Sequence, residues 1–272
     1  MKPSASGGAP RAELVGARPV AELGGPIAAL LSDVDGTMTQ DGLLEAETVH
    51  AIEALVASGV PVVPVTGRSA GFGHALLGLL PVPAVIAENG AVTFVKRGRR
   101  VEKVYGLPER DLASWRRRMG DAVAAVQREL PALRLSTDSA FREVDLALDW
   151  NEEVRLPRAD ADRAVLRLQE HGLAASRSSV HVNFGPPLFD KRTASLALVR
   201  DVLGGDVEDL ARYVYVGDSL NDAPVFGGLP SSVGVANVRD VWDALPSRPA
   251  FVTSAREAAG FRELVAHLLT LR

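Results

Sequence analysis

The segment ALLSDVDGT, residues 29–37, runs a short apolar stretch into two aspartates separated by one valine. A buried carboxylate is costly unless it is paired, hydrogen-bonded or bound to a metal. Side chains alternate along an extended strand, so Asp33 and Asp35 share one face while Val34 points the other way. Gly36-Thr37 then permits a sharp change of direction. The segment is predicted to be a strand that delivers two carboxylates at its C-terminal end. A solvated acidic turn is the plainer reading, and the tripeptide by itself does not choose between them.

The rest of the chain supplies a context. In EAETVHAIEALVASG (45–59), Val49, Ile52, Leu55 and Val56 recur at helical spacing and Gly59 suits a C-terminal cap. VPVVPVTGR (60–68) reads as a strand, GFGHALLGLL (71–80) as a helix, and PAVIAENGAVTF (83–94) as two strands around Asn89-Gly90. This alternation predicts an α/β fold with a doubly wound, Rossmann-like parallel sheet. Near residue 97 the rhythm breaks. Two amphipathic helices (109–130 and 158–172) and two alternating strands (141–150 and 178–185) predict a smaller α+β domain inserted over 97–186, with an antiparallel sheet. From Lys191 the first rhythm resumes, ending in a helix over 256–271. The expected division is a poorly ordered tail at 1–25, a core formed by 26–96 and 187–272, and the insert.

Composition narrows the function. Hydrophobic residues at 47% and charged residues at 24% suit a globular protein, and the formal net charge of −4 argues against a nucleic-acid partner. The chain has no cysteine, so thiolate nucleophiles, disulfides and zinc-thiolate sites are excluded. Neither a signal-peptide apolar region nor a membrane-spanning run is present, so the expected location is the cytoplasm, with no membrane partner. Oligomeric state is not legible.

In open parallel sheets ligands bind beyond the carboxyl ends of the strands. Four polar clusters fall at such ends or at the adjoining helix start: DVDGT (33–37), TGR (66–68), DKRT (190–193) and GDSLND (217–222). Carboxylates without imidazole or thiolate suit a hard cation such as Mg²⁺. A hydroxyl, an ammonium and backbone N–H groups suit a phosphate. Taken singly, Thr66 reads as a helix cap, Lys191 as a solvated helix-start lysine and GDSLND as a turn. Together with DVDGT they favour a catalytic site.

In their order, these clusters resemble the four motifs of the haloacid dehalogenase-like superfamily of phosphotransferases. The position and composition of the insert resemble the type IIB cap found in Cof-like, sucrose-phosphate and mannosyl-phosphoglycerate phosphatase-like members. The resemblance implies that Asp33 attacks phosphorus to give an aspartyl-phosphate and that Asp35 serves as general acid and base. It implies that Mg²⁺ is held by Asp33, Asp218 and the main-chain carbonyl of Asp35, with Asp222 supporting it directly or at one remove. Thr66 and Lys191 would hold the phosphoryl oxygens, with Gly67 and Asn221 beside them as substrate-binding groups. The activity so implied is Mg²⁺-dependent hydrolysis of a small phosphorylated metabolite, with a sugar phosphate favoured. A phosphomutase, or an idle protein that senses a phosphorylated ligand, are the alternatives. His181 and Asn183 share one face of a predicted insert strand and are candidates for contacting substrate. Arg68 is expected to pair with Glu88.

Overall fold

The computed structural model describes residues 16–178, 180–206 and 208–272. It opens with β1 (Arg18–Pro19) and then β2 (Ala29–Ser32), the predicted aspartate-bearing strand. Helix α1 (Ala46–Ala57) closes at Gly59, whose φ of +91° is tolerable only without a Cβ. There follow β3 (Val62–Pro64), α2 (Ala70–Leu79), β4 (Ala84–Ala87), β5 (Val92–Arg97) and β6 (Arg100–Tyr105). The insert contributes α3 (Leu112–Glu129), β7 (Arg134–Leu135), β8 (Leu146–Asp149), α4 (Arg158–Glu170), β9 (Ala174–Arg177) and β10 (His181–Gly185). The chain returns through α5 (Lys191–Asp201), β11 (Tyr213–Gly217), α6 (Ala223–Phe226), β12 (Ser231–Gly234), β13 (Phe251–Val252) and α7 (Glu257–Thr270).

The central sheet has the order β1-β13-β12-β11-β2-β3, and all its pairs are parallel. Strand β2 lies between β3 and β11, so the chain leaves it toward one edge first and reaches its other neighbour only after the insert. That reversal is where an open α/β sheet forms a ligand crevice. Alternation divides the core between the two faces. Leu30, Val214 and Val216 pack with Ile52 of α1 and Phe261 of α7, while Leu31, Tyr213 and Tyr215 pack with Leu198 of α5 and Phe226 of α6. Strands β2, β3 and β11 are buried on both faces, which explains their short, almost continuous apolar runs.

Two expectations are corrected. The tail was expected to run through residue 25. Residues 1–15 lie outside the described residues, but from Arg18 the chain is structured: β1 pairs with β13, and Val20 and Leu23 are buried in the core. Isolated apolar residues among proline and glycine carry no periodicity, so only tertiary packing reveals them. The stretch from 97 was assigned to the insert, yet β6 pairs antiparallel with β5, which pairs with β4. Gly98, at φ +63°, makes the tight turn between them. The insert's own antiparallel sheet, β7-β8-β10-β9, begins at Arg134. One face of it packs on α3 and α4 through Leu146, Leu148, Val182 and Phe184.

Gly90 joins the core's two halves. Its φ is +105°, and a Cβ there would lie 2.4 Å from the carbonyl oxygen of Asp190, the residue that caps α5. Gly90→Ala is therefore expected to lower stability by about 2–4 kcal/mol, from backbone strain plus the clash. Thermal or urea denaturation measures this; an unchanged midpoint would contradict the close approach.

Candidate active site

The site forms where β2, β3 and β11 end. Asp33 follows β2 directly, and its N–H donates to Val216 O at 2.8 Å, so the strand ladder continues into the first carboxylate. Gly36 turns the chain at φ +74°, and a Cβ on it would lie 2.8 Å from Asp218 Oδ2. Only glycine lets the first and fourth motifs approach this closely. At the end of β3, Thr66 is fully buried, its N–H donating to Ile86 O and its Oγ1 accepting from the N–H of Arg68 at 3.0 Å.

Lys191 is the first residue of α5 and is 1% exposed. Its Nζ lies 2.5 Å from Asp33 Oδ1 and 2.7 Å from Asp222 Oδ1. A cation at a helix N-terminus is unfavourable by the helix dipole alone, so the two carboxylates are what hold it there. They keep the ammonium charged: burial pulls its pKa down, but Asp222 and Asp33 outweigh that and raise it above the ordinary lysine value. Asp33 is pushed up to about 7, chiefly by burial, with Lys191 opposing and the Asp222 and Asp35 charges adding.

Asp222 is fully engaged. Oδ1 also accepts from the buried Tyr215 hydroxyl at 2.5 Å, and Oδ2 accepts from the N–H groups of Asp218 and Ser219 at 2.9 and 3.0 Å. It thus shapes the GDSLND turn and grips Lys191. Asp218 is steered by Asn237, whose Nδ2 donates to its Oδ2 at 2.8 Å and to Gly36 O at 2.9 Å. Carboxylate oxygens of Asp33, Asp218 and Asp222 lie within 4.8 Å of one another, an all-oxygen set. Three carboxylates against one buried ammonium leave a local excess of negative charge, which fits a hard divalent cation.

The general acid candidate has a partner that the sequence reading did not assign. Arg68 Nε donates to both oxygens of Asp35 at 2.9 Å, and its Nη1 lies 3.6 Å from Glu152 of the insert. The expected Arg68–Glu88 pair is not formed. Glu88 is instead buried with its carboxylate accepting from four backbone N–H groups, those of Ala70, Glu143, Val144 and Asp145, at 2.7–2.9 Å. Backbone donors at a helix start and a turn offer a carboxylate shorter-range satisfaction than a guanidinium on the neighbouring loop.

Strand β10 alternates as its sequence suggests. Val182 and Phe184 enter the insert's core, leaving His181 and Asn183 on the face toward the catalytic side. A cavity of about 30 Å³ is lined by Asp33, Asp35, Gly67, Arg68, His181 and Asn183 among others, including Asn221. A second, of about 230 Å³, adjoins it at Asn183 and Asn221 and reaches Lys191. His181 Nε2 lies 2.7 Å from Glu152 Oε2, and the buried Asn183 Oδ1 has no hydrogen-bond partner among the described residues. Thr66, Asp218 and Asp222 do not line either cavity. Of the residues missed in the sequence, Tyr215 had a readable signal, a phenol inside an apolar strand two positions before Gly-Asp. A buried hydroxyl requires an acceptor. Asn237, Glu152 and Arg142 had none.

A family model described as haloacid dehalogenase-like hydrolase matches residues 30–114. A phosphoglycolate phosphatase from Haloarcula marismortui is 32% identical over 244 residues, covering 87% of this chain and 95% of that one. Among solved structures, Thermoplasma acidophilum 0175 superposes with a TM-score of 0.68 at 20% identity, covering 89% of this chain and 98% of the other. The sucrose-phosphatase from Synechocystis, solved with sucrose and phosphate, has a TM-score of 0.63 at 20% identity, covering 88% and 97%. These two likenesses concern the fold.

The raised pKa of Asp33 has a sign that can be tested. Its proton is bound more tightly in the folded protein than in the unfolded chain, so this stabilisation is present below about pH 4 and lost as pH rises through about 7. In metal-free protein, the Tm difference between wild type and Asp33→Asn should widen in favour of the variant from pH 5 to pH 8. A difference that is flat across that range would contradict the burial of a titrating Asp33.

Proposed function

Since the chain belongs to the haloacid dehalogenase-like hydrolases and is a phosphatase of that superfamily, we propose that it is a Mg²⁺-dependent phosphomonoester hydrolase acting on a small phosphorylated metabolite through an aspartyl-phosphate at Asp33. The observation that carries this reading is the buried Lys191 ammonium bridging Asp33 and Asp222, beside the Asp35 carboxylate on the same strand end. The lysine neutralises charge at the nucleophile and offers N–H donors to a phosphoryl oxygen.

The residues divide the work. Asp33 Oδ forms the bond to phosphorus as the ester oxygen leaves, and Asp35 donates the proton that the leaving alkoxide needs. Asp35 then takes a proton from the water that cleaves the acyl phosphate, returning Asp33 as carboxylate and releasing phosphate. Both oxygens of Asp35 are held by Arg68 in the free site, so the guanidinium must turn aside before Asp35 meets the ester oxygen. Thr66 and Lys191 bind phosphoryl oxygens, with the N–H of Gly67 beside them. Asp33 and Asp218 offer oxygens to Mg²⁺, which would supply screening between the anionic nucleophile and the anionic substrate. Asp222, whose oxygens are taken, orients Lys191 and the turn.

For the substrate, 2-phosphoglycolate is the first candidate, supported by the relative of that activity that aligns along nearly its whole length. Arg68 and His181 are the basic side chains that line the small cavity, where a substrate carboxylate would need a partner. Sugar phosphates are the second candidates, since the adjoining cavity offers about 230 Å³.

Phosphate release from a panel of monoesters tests the reading. Turnover should require added Mg²⁺ and vanish in excess EDTA, and Asp33→Asn should abolish it. Asp35→Asn should slow it by about 10²–10⁴. Full activity in EDTA would remove the metal, and an active, undeamidated Asp33→Asn would remove the covalent step. Replacing His181 and Asn183 together by alanine should lower kcat/KM for the preferred substrate much more than for p-nitrophenyl phosphate. An equal loss on both would place them in the phosphoryl machinery instead.

A further inference from the structure

Arg142 belongs to the insert, yet its side chain is completely buried against the core. Its guanidinium is held from three directions. Nε and Nη2 each donate to Asp138 at 2.9 Å, and Nη1 donates to Asp145 Oδ1 at 2.6 Å. Nη1 also donates to the carbonyl oxygen of Gly67 at 3.1 Å. That carbonyl is half of a peptide unit whose N–H, on Arg68, donates to Thr66 Oγ1 at 3.0 Å. The two ends of a trans peptide point in opposite directions. Arg142 therefore grips one end of the plane whose other end grips the Thr66 hydroxyl.

We propose that Arg142 is a positioning residue for phosphoryl binding, acting through the Gly67–Arg68 peptide to orient Thr66. With the Arg68 N–H occupying a lone pair of Oγ1, the hydroxyl proton is free to turn to a phosphoryl oxygen. A charged donor on the carbonyl polarises the peptide and strengthens the N–H that orients the hydroxyl. A neutral or flexible donor would do this less well, which explains an arginine here despite its burial. Asp138 and Asp145 make that burial tolerable and fix the fork.

The neighbouring backbone supports the same arrangement. Glu88 accepts from Glu143, Val144 and Asp145 N–H on the insert and from Ala70 N–H at the start of α2. Glu88 N–H donates to Arg68 O, and Asn89 N–H donates to Thr66 O, both at 3.0 Å. Residues 142–145 are thereby registered to both ends of the 66–70 turn. The phosphate turn of the core is completed by the root of the insert.

This inference rests on the phosphatase reading, but its test does not require turnover. Inorganic phosphate binding in the presence of Mg²⁺ is measured by calorimetry for wild type, Arg142→Lys, Thr66→Ala and the double variant, with Tm recorded for each. Lysine keeps the charge but loses the fork, so phosphate affinity should fall about tenfold, the value of one charge-assisted hydrogen bond. In the Thr66→Ala background the same change should cost less than twofold, because there is no hydroxyl left to orient. Where turnover is seen, kcat/KM should fall by the same factor for 2-phosphoglycolate and p-nitrophenyl phosphate. A lowered Tm with unchanged phosphate affinity, or an equal loss with and without Thr66, would make Arg142 purely structural and overturn the proposal. If Arg142→Lys does not fold, Asp138→Asn, which loosens the fork while leaving Arg142 in place, enters the same cycle with the same criteria. A wild type that binds phosphate but hydrolyses no ester would sink the phosphatase reading and leave Arg142 to be judged on binding.

Discussion

The structure turns on one buried ammonium. Taking Lys191 out of water costs several kcal/mol, and only close carboxylates with good geometry offset this. Asp33 and Asp222 provide them at 2.5 and 2.7 Å. Meeting that requirement brings together three distant parts of the chain: the end of β2, the turn after β11 and the start of α5. It also accounts for features beyond the contact itself. Gly90 has no side chain where Asp190 must approach, and Tyr215 spends its hydroxyl on Asp222 inside an otherwise apolar strand. The excess of carboxylate over ammonium leaves net negative charge at the site, which suits a cation.

A second constraint joins core and insert. Glu88 and Arg142 exchange buried, charge-assisted hydrogen bonds across the seam, one carboxylate with backbone N–H groups and one guanidinium with a backbone carbonyl. Removing Glu88 would leave four backbone N–H groups without their acceptor, and removing Arg142 would leave the buried Asp145 carboxylate unpaired, so the seam is costly to break. In the contacts between Arg68, Glu152 and His181, the Arg68 and Glu152 side chains are partly exposed and stand 3.6 Å apart. They are correspondingly easier to separate.

Much of this was legible from local pattern. The apolar alternation of β10 correctly separates Val182 and Phe184 from His181 and Asn183, because strand geometry alone decides which face each occupies. The helices over 46–57 and 257–270 follow from spacing for the same reason. Arg68 shows the opposite case. Its charge is evident in the sequence, but no local pattern fixes its partner, and the fold brings Asp35 and Glu152 to it in place of the expected Glu88. The N-terminal strand was hidden because two residues of pairing and two buried side chains leave no period to detect.

The sequence by itself determined the alternation of strands and helices from β2 to β5 and again from α5, the interruption by an α+β insert and the chemical character of the strand-end clusters. These depend on hydrophobic periodicity, glycine and proline placement and side-chain type, all of which act over a few residues. Only the tertiary structure decided that Lys191 lies between Asp33 and Asp222, that Glu88 answers to the insert's backbone and that Arg142 reaches the peptide beside Thr66. Those facts depend on distances between segments tens to more than a hundred residues apart. Burial then converts those distances into energies large enough to fix one arrangement.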